Sequence, residues 1–247
     1  MLTPGKAKLD AVFISDLHLH PDNALITERF NRFVDWAAAE ASTVYILGDF
    51  FHVWPGDDAL DEWSSAIAAR LAWLSQQGVT LYFMQGNRDF LLGKRFADLA
   101  NMTLLAEPAL MQLGETSVLL VHGDRYCTKD RAHQSLRKLT RNRWFPRLFL
   151  AIPLILRNKL VAGVRKRSQA KTYNAVSMDV VPEVLLQHML DCQVTTLIHG
   201  HTHRQGVTTY EHEGQTYARY VLSDWDDNPK ILCYDKSKGL YFVQMSL

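Results

Sequence analysis

The chain has 247 residues, 47% of them hydrophobic and 21% charged, a composition typical of a globular protein with an ample core. A formal net charge of +1 argues against a uniformly cationic nucleic-acid binder. This near-neutrality averages two unlike parts, because residues 125–171 hold 14 Lys and Arg and a single acid, Asp130. The rest of the chain carries 13 basic and 25 acidic residues.

The cysteines and the apolar runs indicate the compartment. Cys127, Cys192 and Cys233 are widely spaced and odd in number, which predicts buried thiols in a reducing compartment. Residues 1–10 lack the apolar stretch of a secretory signal. The longest apolar run, residues 148–156, is far shorter than the roughly 20 residues of a spanning helix. We therefore expect a cytosolic protein that can still contact a membrane surface.

Short apolar runs alternate with helical patterns in the first 124 residues. The alternation predicts βαβ units and a mainly parallel sheet, and thus an α/β fold. We predict strands at 11–14, 44–47, 79–84 and 117–121, and helices at 24–40 and 60–77.

The basic segment that follows has helical composition, and Pro146 and Pro153 predict that it breaks into two or more helices. It is interpreted as an insertion, here called the insert (residues 128–172), into a core formed by residues 1–127 and 173–247. After it we predict a helix at 182–190, a strand at 195–198 and antiparallel hairpin strands at 206–212, 215–222, 231–234 and 240–244.

Five short polar motifs each follow one of the predicted strands. Because ligand sites form at the carboxyl ends of parallel strands, we expect these motifs to meet at one site. They are Asp16-Leu17-His18, Gly48-Asp49, Gly86-Asn87-Arg88-Asp89, His122-Gly123-Asp124 and Gly200-His201-Thr202-His203.

The side chains of these motifs are those of a metal site. Asp16 and His18 are two residues apart, as are His201 and His203, so in an extended backbone each pair faces one side. Asp, Asn and His without a thiolate suit Mn²⁺, Fe or Zn²⁺ better than Mg²⁺ alone. Seven candidate ligands exceed one tetrahedral site and suit two metals about 3.5–4 Å apart.

Any one motif is weak evidence for a metal site, and a single histidine after a strand is more often structural, as we expect for His199.

The order D-x-H, G-D, G-N, H and G-H-x-H resembles the calcineurin-like metallophosphoesterases, which implies an αββα core around two divalent metal ions. Many members of that family have His after the Asn, where this chain has Arg88. Because a guanidinium does not deprotonate, we expect Arg88 to bind phosphate oxygens in a bidentate way and not to act as a general acid.

Longer strings within residues 12–225, above all Gly86–Phe96, are similar to the family of pyrophosphohydrolases that cleave UDP-2,3-diacylglucosamine in lipid A biosynthesis. The resemblance implies attack by water on the α-phosphorus, giving UMP and 2,3-diacylglucosamine 1-phosphate, with the insert as a helical lid. It also implies that the protein binds two divalent metal ions, with Mn²⁺ favoured. The implied location is the cytoplasmic face of the bacterial inner membrane, as a peripheral protein. We expect a monomer.

The same resemblance implies roles for single residues. One metal is expected on Asp16, His18, Asp49 and His203, and the second on Asp49, Asn87, His122 and His201. Catalysis is assigned to Arg88 and Asp49. Substrate contacts are expected from Asn87, Arg88, Asp130, Ser168, Lys171 and His201. Asp130 has an alternative reading as a helix N-terminal acid, and Asp124 is expected to orient a metal-bound histidine.

Three interpretations of the basic segment compete. A solvated helical face explains it poorly, because residues 131–178 contain no acid. Nucleic-acid binding explains the charge but not the aliphatic run. An anionic membrane surface, or a groove for acyl chains, explains both, so we expect lipid and no nucleic acid as the partner. The rival functions are a generic phosphodiesterase acting on cyclic nucleotides or other phosphoesters, and a binding module with a vestigial metal site.

Overall fold

A computed structural model describes residues 8–170, 179–226 and 229–245 as two β-sheets between layers of helices. The first sheet has six strands in the order β11-β10-β1-β2-β3-β4. These strands are β1 (Ala11–Ile14), β2 (Thr43–Ile46), β3 (Thr80–Met84), β4 (Thr103–Leu105), β10 (Lys230–Asp235) and β11 (Gly239–Gln244). Strands β1 to β4 run parallel to one another, whereas β10 pairs antiparallel with both β1 and β11.

The second sheet has five strands in the order β5-β6-β7-β9-β8. They are β5 (Ala109–Leu113), β6 (Thr116–Leu120), β7 (Thr196–His199), β8 (Gly206–His212) and β9 (Gln215–Val221). The inner strands β6, β7 and β9 are parallel, and β5 and β8 close the two edges antiparallel. The five predicted motif strands are therefore divided between two sheets.

The two sheets pack face to face. Alternate side chains of each strand point to opposite faces, so one set lies between the sheets and the other lies under the helices. In β1, Phe13 joins the apolar cluster between the sheets, whereas Val12 and Ile14 point to the outer helices. The inner cluster draws on Leu120 and Ile198 from the second sheet. Both faces of β1 are thus buried, as expected for an uninterrupted apolar strand.

Helices cover both outer faces, which confirms the predicted αββα architecture. Helices α1 (Ala24–Glu40), α2 (Glu62–Gln76) and α3 (Lys94–Leu99) pack on the first sheet, and α7 (Pro182–Asp191) packs on the second. Helix α1 buries the stripe predicted from its periodicity, including Phe30, Phe33 and Ala37.

The insert contains three helices, and the segment is broken near Pro146 and Pro153 as predicted. They are α4 (Arg131–Thr140), α5 (Phe145–Leu150) and α6 (Leu154–Ala170). Pro146 lies in the first turn of α5, where its missing N–H costs nothing, and Pro153 precedes α6. None of the described helices combines the length and the apolar character that a membrane span requires.

Some elements differ from the prediction. Helix α3 and strands β4 and β5 have only 6, 3 and 5 residues, too few to show a period, and they were not predicted. The four C-terminal strands form two hairpins in different sheets, because β9 pairs parallel with β7 while β10 pairs with β1. Long-range pairing of this kind leaves no mark in local periodicity.

Candidate metal centre

The five motifs meet at one end of the molecule, at the carboxyl ends of strands from both sheets. Within the first sheet, the backbone N–H of Asp16 donates to Gly48 O at 3.1 Å, and within the second, Gly200 N–H donates to His122 O at 2.9 Å. The contacts that join the loops of the two sheets include His122 Nδ1 to Leu47 O at 2.9 Å, and the His201 N–H, which donates to Asp16 Oδ2 at 2.8 Å. The loops are thereby fixed around a common centre.

Five of the predicted ligands have a left-handed backbone, with φ between 52° and 68°: Asp16, His18, Asp49, His201 and His203. The extended geometry expected for the Asp16–His18 and His201–His203 pairs is therefore wrong. Left-handed conformations cost non-glycine residues of the order of 1 kcal/mol each, and they concentrate where a site must hold its side chains. Each pair still faces the centre, but the side chains are directed there by left-handed turns and not by an extended backbone.

Asp16, His18 and His203 form the first cluster, with one donor atom of each within 4.8 Å of the others. Asp16 Oδ1 is buried, lies 3.5 Å from His203 Nε2 and has no hydrogen-bond partner. A buried carboxylate oxygen without a hydrogen-bond partner is costly unless a cation binds it, and the imidazole nitrogens beside it are further metal ligands. His203 Nδ1 faces Asp224 at 3.4 Å, so a carboxylate orients the ring from behind.

Asp49, His122 and His201 form the second cluster, with the same spacing. Asn87 Oδ1 lies 2.9 Å from His122 Nε2, which adds an amide oxygen to the set. Asp49 stands between the clusters, with Oδ1 3.5 Å from His122 Nε2 and Oδ2 3.4 Å from His18 Nε2. All seven predicted ligand residues are thus brought together, as oxygen and nitrogen donors suited to two divalent ions.

The electrostatics of the centre follow from its burial and charges. Burial alone would raise the pKa of Asp16, but the neighbouring His203 and the charge of His122 lower it to about 2. His122 likewise holds the pKa of Asp49 well below its ordinary value, against the effect of burial. Burial would lower the pKa of His122, but the charges of Asp49 and Asp16 raise it to about 9. Burial and the charge of His122 lower the pKa of His201 to about 4.

Asp89 holds two of the loops and had no predicted role. Its fully buried carboxylate accepts backbone N–H bonds from Phe50 at 2.8 Å and from Gly86 at 2.7 Å. Gly86 lies so close to Asp49 that a Cβ there would be 2.2 Å from Asp49 Oδ1. Asp89 and Asp224 were missed because a carboxylate that bonds distant backbone or a distant ring has no local spacing signature.

Arg88 lies at the edge of the centre. Its Nε is 3.3 Å from Asp49 Oδ2, and its backbone N–H donates to Asp49 Oδ1 at 2.9 Å. The side chain remains 32% exposed, so it can meet a substrate from solvent. This position suits the predicted contact with phosphate oxygens.

Two buried carboxylates connect the centre with helix α4. Glu107 accepts the backbone N–H of His122 at 3.1 Å and pairs with Arg137 at 3.2 Å and Arg141 at 3.4 Å. Asp124 lies 3.1 Å from Arg137 Nε and 3.8 Å from His133 Nε2. The histidine nearest the carboxylate of Asp124 in these contacts is thus His133, not one of the ligand candidates.

The other predicted substrate residues belong to the insert. Asp130 caps helix α4 by accepting the His133 N–H at 2.9 Å, which is its alternative reading as a helix N-terminal acid. Ser168 belongs to the last turns of α6, and its side chain is outside the described part of the chain. Lys171 lies outside the described residues.

His199 is buried beside the centre and bonded to the protein through both ring nitrogens. Nε2 accepts from Arg219 Nε at 2.8 Å, and Nδ1 donates to Gly200 O at 2.7 Å. Burial and the charge of Arg219 lower its pKa to about 3. The ring is therefore neutral at pH 7 and supports the loop that carries His201.

Comparison with known proteins gives consistent relatives. The calcineurin-like phosphoesterase family matches residues 10–205. A protein of Stutzerimonas stutzeri strain A1501, named UDP-2,3-diacylglucosamine hydrolase, is 43% identical over 217 residues, covering 87% of this chain and 90% of the relative. Proteins of the same name are 44% identical in Pseudomonas aeruginosa strain PAO1, covering 88% and 92%, and 42% identical in Aeromonas salmonicida, covering 91% and 89%.

Proposed function

Since the chain belongs to the calcineurin-like phosphoesterases, and within them to the family of UDP-2,3-diacylglucosamine hydrolases, we propose that it hydrolyses UDP-2,3-diacylglucosamine in lipid A biosynthesis. Water forms a new P–O bond to the α-phosphorus while the bond from that phosphorus to the bridging oxygen breaks, giving UMP and 2,3-diacylglucosamine 1-phosphate. The observation that carries this proposal is the pair of ligand clusters joined through Asp49, with Arg88 beside it.

We propose that two divalent ions, most readily Mn²⁺, are held by these clusters. Asp16, His18 and His203 would hold one, Asn87, His122 and His201 the other, and Asp49 would bind both. Such ions supply a water activated near neutral pH and neutralise the charge on phosphate oxygens. The residues of the chain fix the ligands: Leu47 O and Asp224 orient the rings of His122 and His203.

Arg88 is proposed to bind the pyrophosphate. As the water attacks the α-phosphorus, negative charge grows on the phosphate oxygens and on the departing β-phosphate. A guanidinium beside Asp49 stabilises that charge without giving up a proton. A sugar 1-phosphate is a stable anion when it leaves, so the reaction needs no general acid in place of Arg88.

The insert is proposed to act as a lid over the acyl chains. The Phe145 ring of α5 lies 6.3 Å from the Phe90 ring, two residues beyond Arg88. Arg157 of α6 is fully buried, and its guanidinium donates to Pro55 O and the Asp58 carboxylate. These contacts seat the insert beside the Arg88 loop, where it can cover an apolar substrate tail. Asp130, Ser168, Lys171 and His201 remain proposed substrate contacts.

The insert also suits the anionic surface of a membrane. Leu148 is 70% and Ile155 73% exposed, and Trp144 lies between Arg143 and Arg147, whose guanidinium carbons are 4.7 and 5.5 Å from its ring centre. Exposed aliphatic and aromatic groups among arginines are typical of interfacial helices. We therefore propose peripheral binding at the cytoplasmic face of the inner membrane, as a monomer.

Product analysis tests the proposed reaction. Purified protein is incubated with UDP-2,3-diacylglucosamine, with Mn²⁺ or with a chelator, and the products are identified by mass spectrometry. The proposal predicts UMP and the diacylated sugar phosphate only with metal. Hydrolysis of a cyclic nucleotide without turnover of the lipid would favour the generic phosphodiesterase instead.

A further inference from the structure

We infer that His52 is a positioning residue, whose imidazole holds the Arg88 guanidinium in the direction that meets the pyrophosphate. The inference rests on the function proposed above, because it concerns how Arg88 reaches a phosphate oxygen. His52 belongs to none of the five motifs and is not one of the ligand candidates.

The contact itself is directional. Arg88 Nη1 lies 3.2 Å from His52 Nδ1. Because a guanidinium only donates, Nδ1 is the acceptor and the imidazole proton is on Nε2. Arg88 Nε faces Asp49 Oδ2 at 3.3 Å. The planar group is thus held at two of its nitrogens by partners in different directions, which fixes its plane.

His52 is itself fixed by the loops around it. Its backbone N–H donates to Leu19 O at 2.9 Å, and the N–H of Trp54 donates to Arg88 O at 3.1 Å. Its ring stands edge-on to His18 at 6.3 Å and to His20 at 5.4 Å between centroids. The acceptor therefore occupies a set place relative to both Arg88 and the first ligand cluster.

Orientation matters because Arg88 has a long side chain that is one-third exposed. An arginine without a fixed direction loses more rotamer freedom when it binds phosphate, so its affinity falls. Because a change at His52 leaves the Arg88 guanidinium and its charge in place, the cost of ordering that side chain falls on substrate binding, so KM rises more than kcat falls.

The experiment compares His52→Leu, which removes the acceptor, with His52→Asn, whose amide oxygen can replace Nδ1. Both are also made together with Arg88→Gln, and His212→Leu on the exposed β8 strand is the control. Three quantities are measured: kinetics with UDP-2,3-diacylglucosamine, the Kd of inorganic phosphate for the Mn²⁺-loaded protein, and bound manganese. Melting temperatures identify any variant that fails to fold.

We expect His52→Leu to raise KM and the phosphate Kd about tenfold, the typical effect of a hydrogen bond to a charged group. Bound manganese and kcat should change little, and His52→Asn should recover most of the loss. In the Arg88→Gln background, His52→Leu should have no further effect. An unchanged KM and Kd in His52→Leu, or an equal effect without Arg88, overturns the inference.

The two proposals fail in different ways. If the wild type binds phosphate but leaves the lipid substrate intact, the proposed function is wrong, while the phosphate Kd still decides the role of His52. If phosphate binding does not depend on Arg88, the role of His52 is overturned whatever the substrate.

Discussion

Asp49 is the residue on which both halves of the proposed centre depend, since its two oxygens face His122 and His18 at 3.5 and 3.4 Å. Its backbone is left-handed, and its pKa is held well below the ordinary value, so the carboxylate is charged at any physiological pH. A short side chain in a strained turn can bridge two sites only if the loop beneath it is rigid, which Asp89 provides.

Asp49→Ala should therefore remove both metals' contribution together. We expect turnover to fall by at least about a thousandfold, because a missing bridge leaves each remaining cluster with fewer ligands. Bound manganese, measured by elemental mass spectrometry, should drop from two equivalents to one or none. Asp98→Ala, at an exposed aspartate of α3, is the control and should keep both. Near-normal turnover by Asp49→Ala would contradict the bridging role.

His122 gives the centre a pH dependence with a definite sign. Its pKa is raised to about 9, against the lowering effect of burial, because of the charges of Asp49 and Asp16. Its two ring nitrogens both face carbonyl oxygens, of Leu47 and Asn87, which suits the doubly protonated ring. A metal must displace the Nε2 proton, so binding competes with protons below pH 9.

In chelator-treated protein we therefore expect the affinity for Mn²⁺ to rise with pH from about 7 until about 9. Calorimetry in buffers of different ionisation enthalpy should find at least one proton released per protein at pH 7.5. The raised pKa of His122 also stabilises the metal-free protein, fully below pH 6.5, and this contribution to the free energy of unfolding is lost as pH rises through 9. Affinity that is constant above pH 7 would show that His122 is already neutral.

At the scale of elements, helix α4 is connected to the centre by buried charges. Arg137 pairs with Glu107 and lies 3.1 Å from Asp124, and both carboxylates are almost fully buried. Glu107 in turn accepts the backbone N–H of His122. Part of the insert's positive charge is therefore neutralised by the core, and α4 is positioned relative to the second ligand cluster.

Arg137→Met should leave two buried carboxylates without their shared partner. We expect a loss of about 3 kcal/mol in the free energy of unfolding, typical of breaking a buried ion pair. Lys138→Met removes a neighbouring charge that is exposed, and it should change stability by less than about 0.5 kcal/mol. Urea unfolding of the two variants decides the point; equal stability would mean that α4 is not held by these pairs.

The sequence was informative where a residue's role is marked by its position after a strand. Asp16, Asp49, Asn87, His122 and His201 could be found because each follows an apolar run that forms a strand. The roles of Glu107, Asp89 and Asp224 could not be found, because each has a partner that lies 15 to 40 residues away along the chain. The left-handed backbones were also not predicted, since Asp and His adopt a positive φ more often than most residues but still in a small minority of positions.

Across the whole molecule, the net charge of +1 combines an acidic core with a basic insert. Some core acids face the proposed metal centre, and others pair with Arg137, Arg141 and Arg157 of the insert. The exposed Arg143 and Arg147 lie beside Trp144 and Leu148 and remain available to an anionic partner. The near-neutral total therefore includes one exposed surface of the insert that is both positively charged and apolar.

That surface should bind anionic vesicles. We expect the protein to sediment with vesicles containing about 30% phosphatidylglycerol, and to be released as salt rises. Leu148→Glu combined with Ile155→Glu should weaken binding at least about tenfold, because charge cannot enter the acyl boundary. Val207→Glu, at an exposed apolar site of β8, is the control for an acidic residue added outside the insert. Equal binding by all three proteins would locate the membrane contact elsewhere.

The reaction can be tested most directly by the fate of the attacking water. Hydrolysis of UDP-2,3-diacylglucosamine in H₂¹⁸O with Mn²⁺, analysed by mass spectrometry, reports which phosphorus is attacked. Attack at the α-phosphorus predicts one ¹⁸O in UMP, an unlabelled 2,3-diacylglucosamine 1-phosphate, and no products in the presence of a chelator. Label in the sugar phosphate, or turnover that does not depend on metal, would contradict the account.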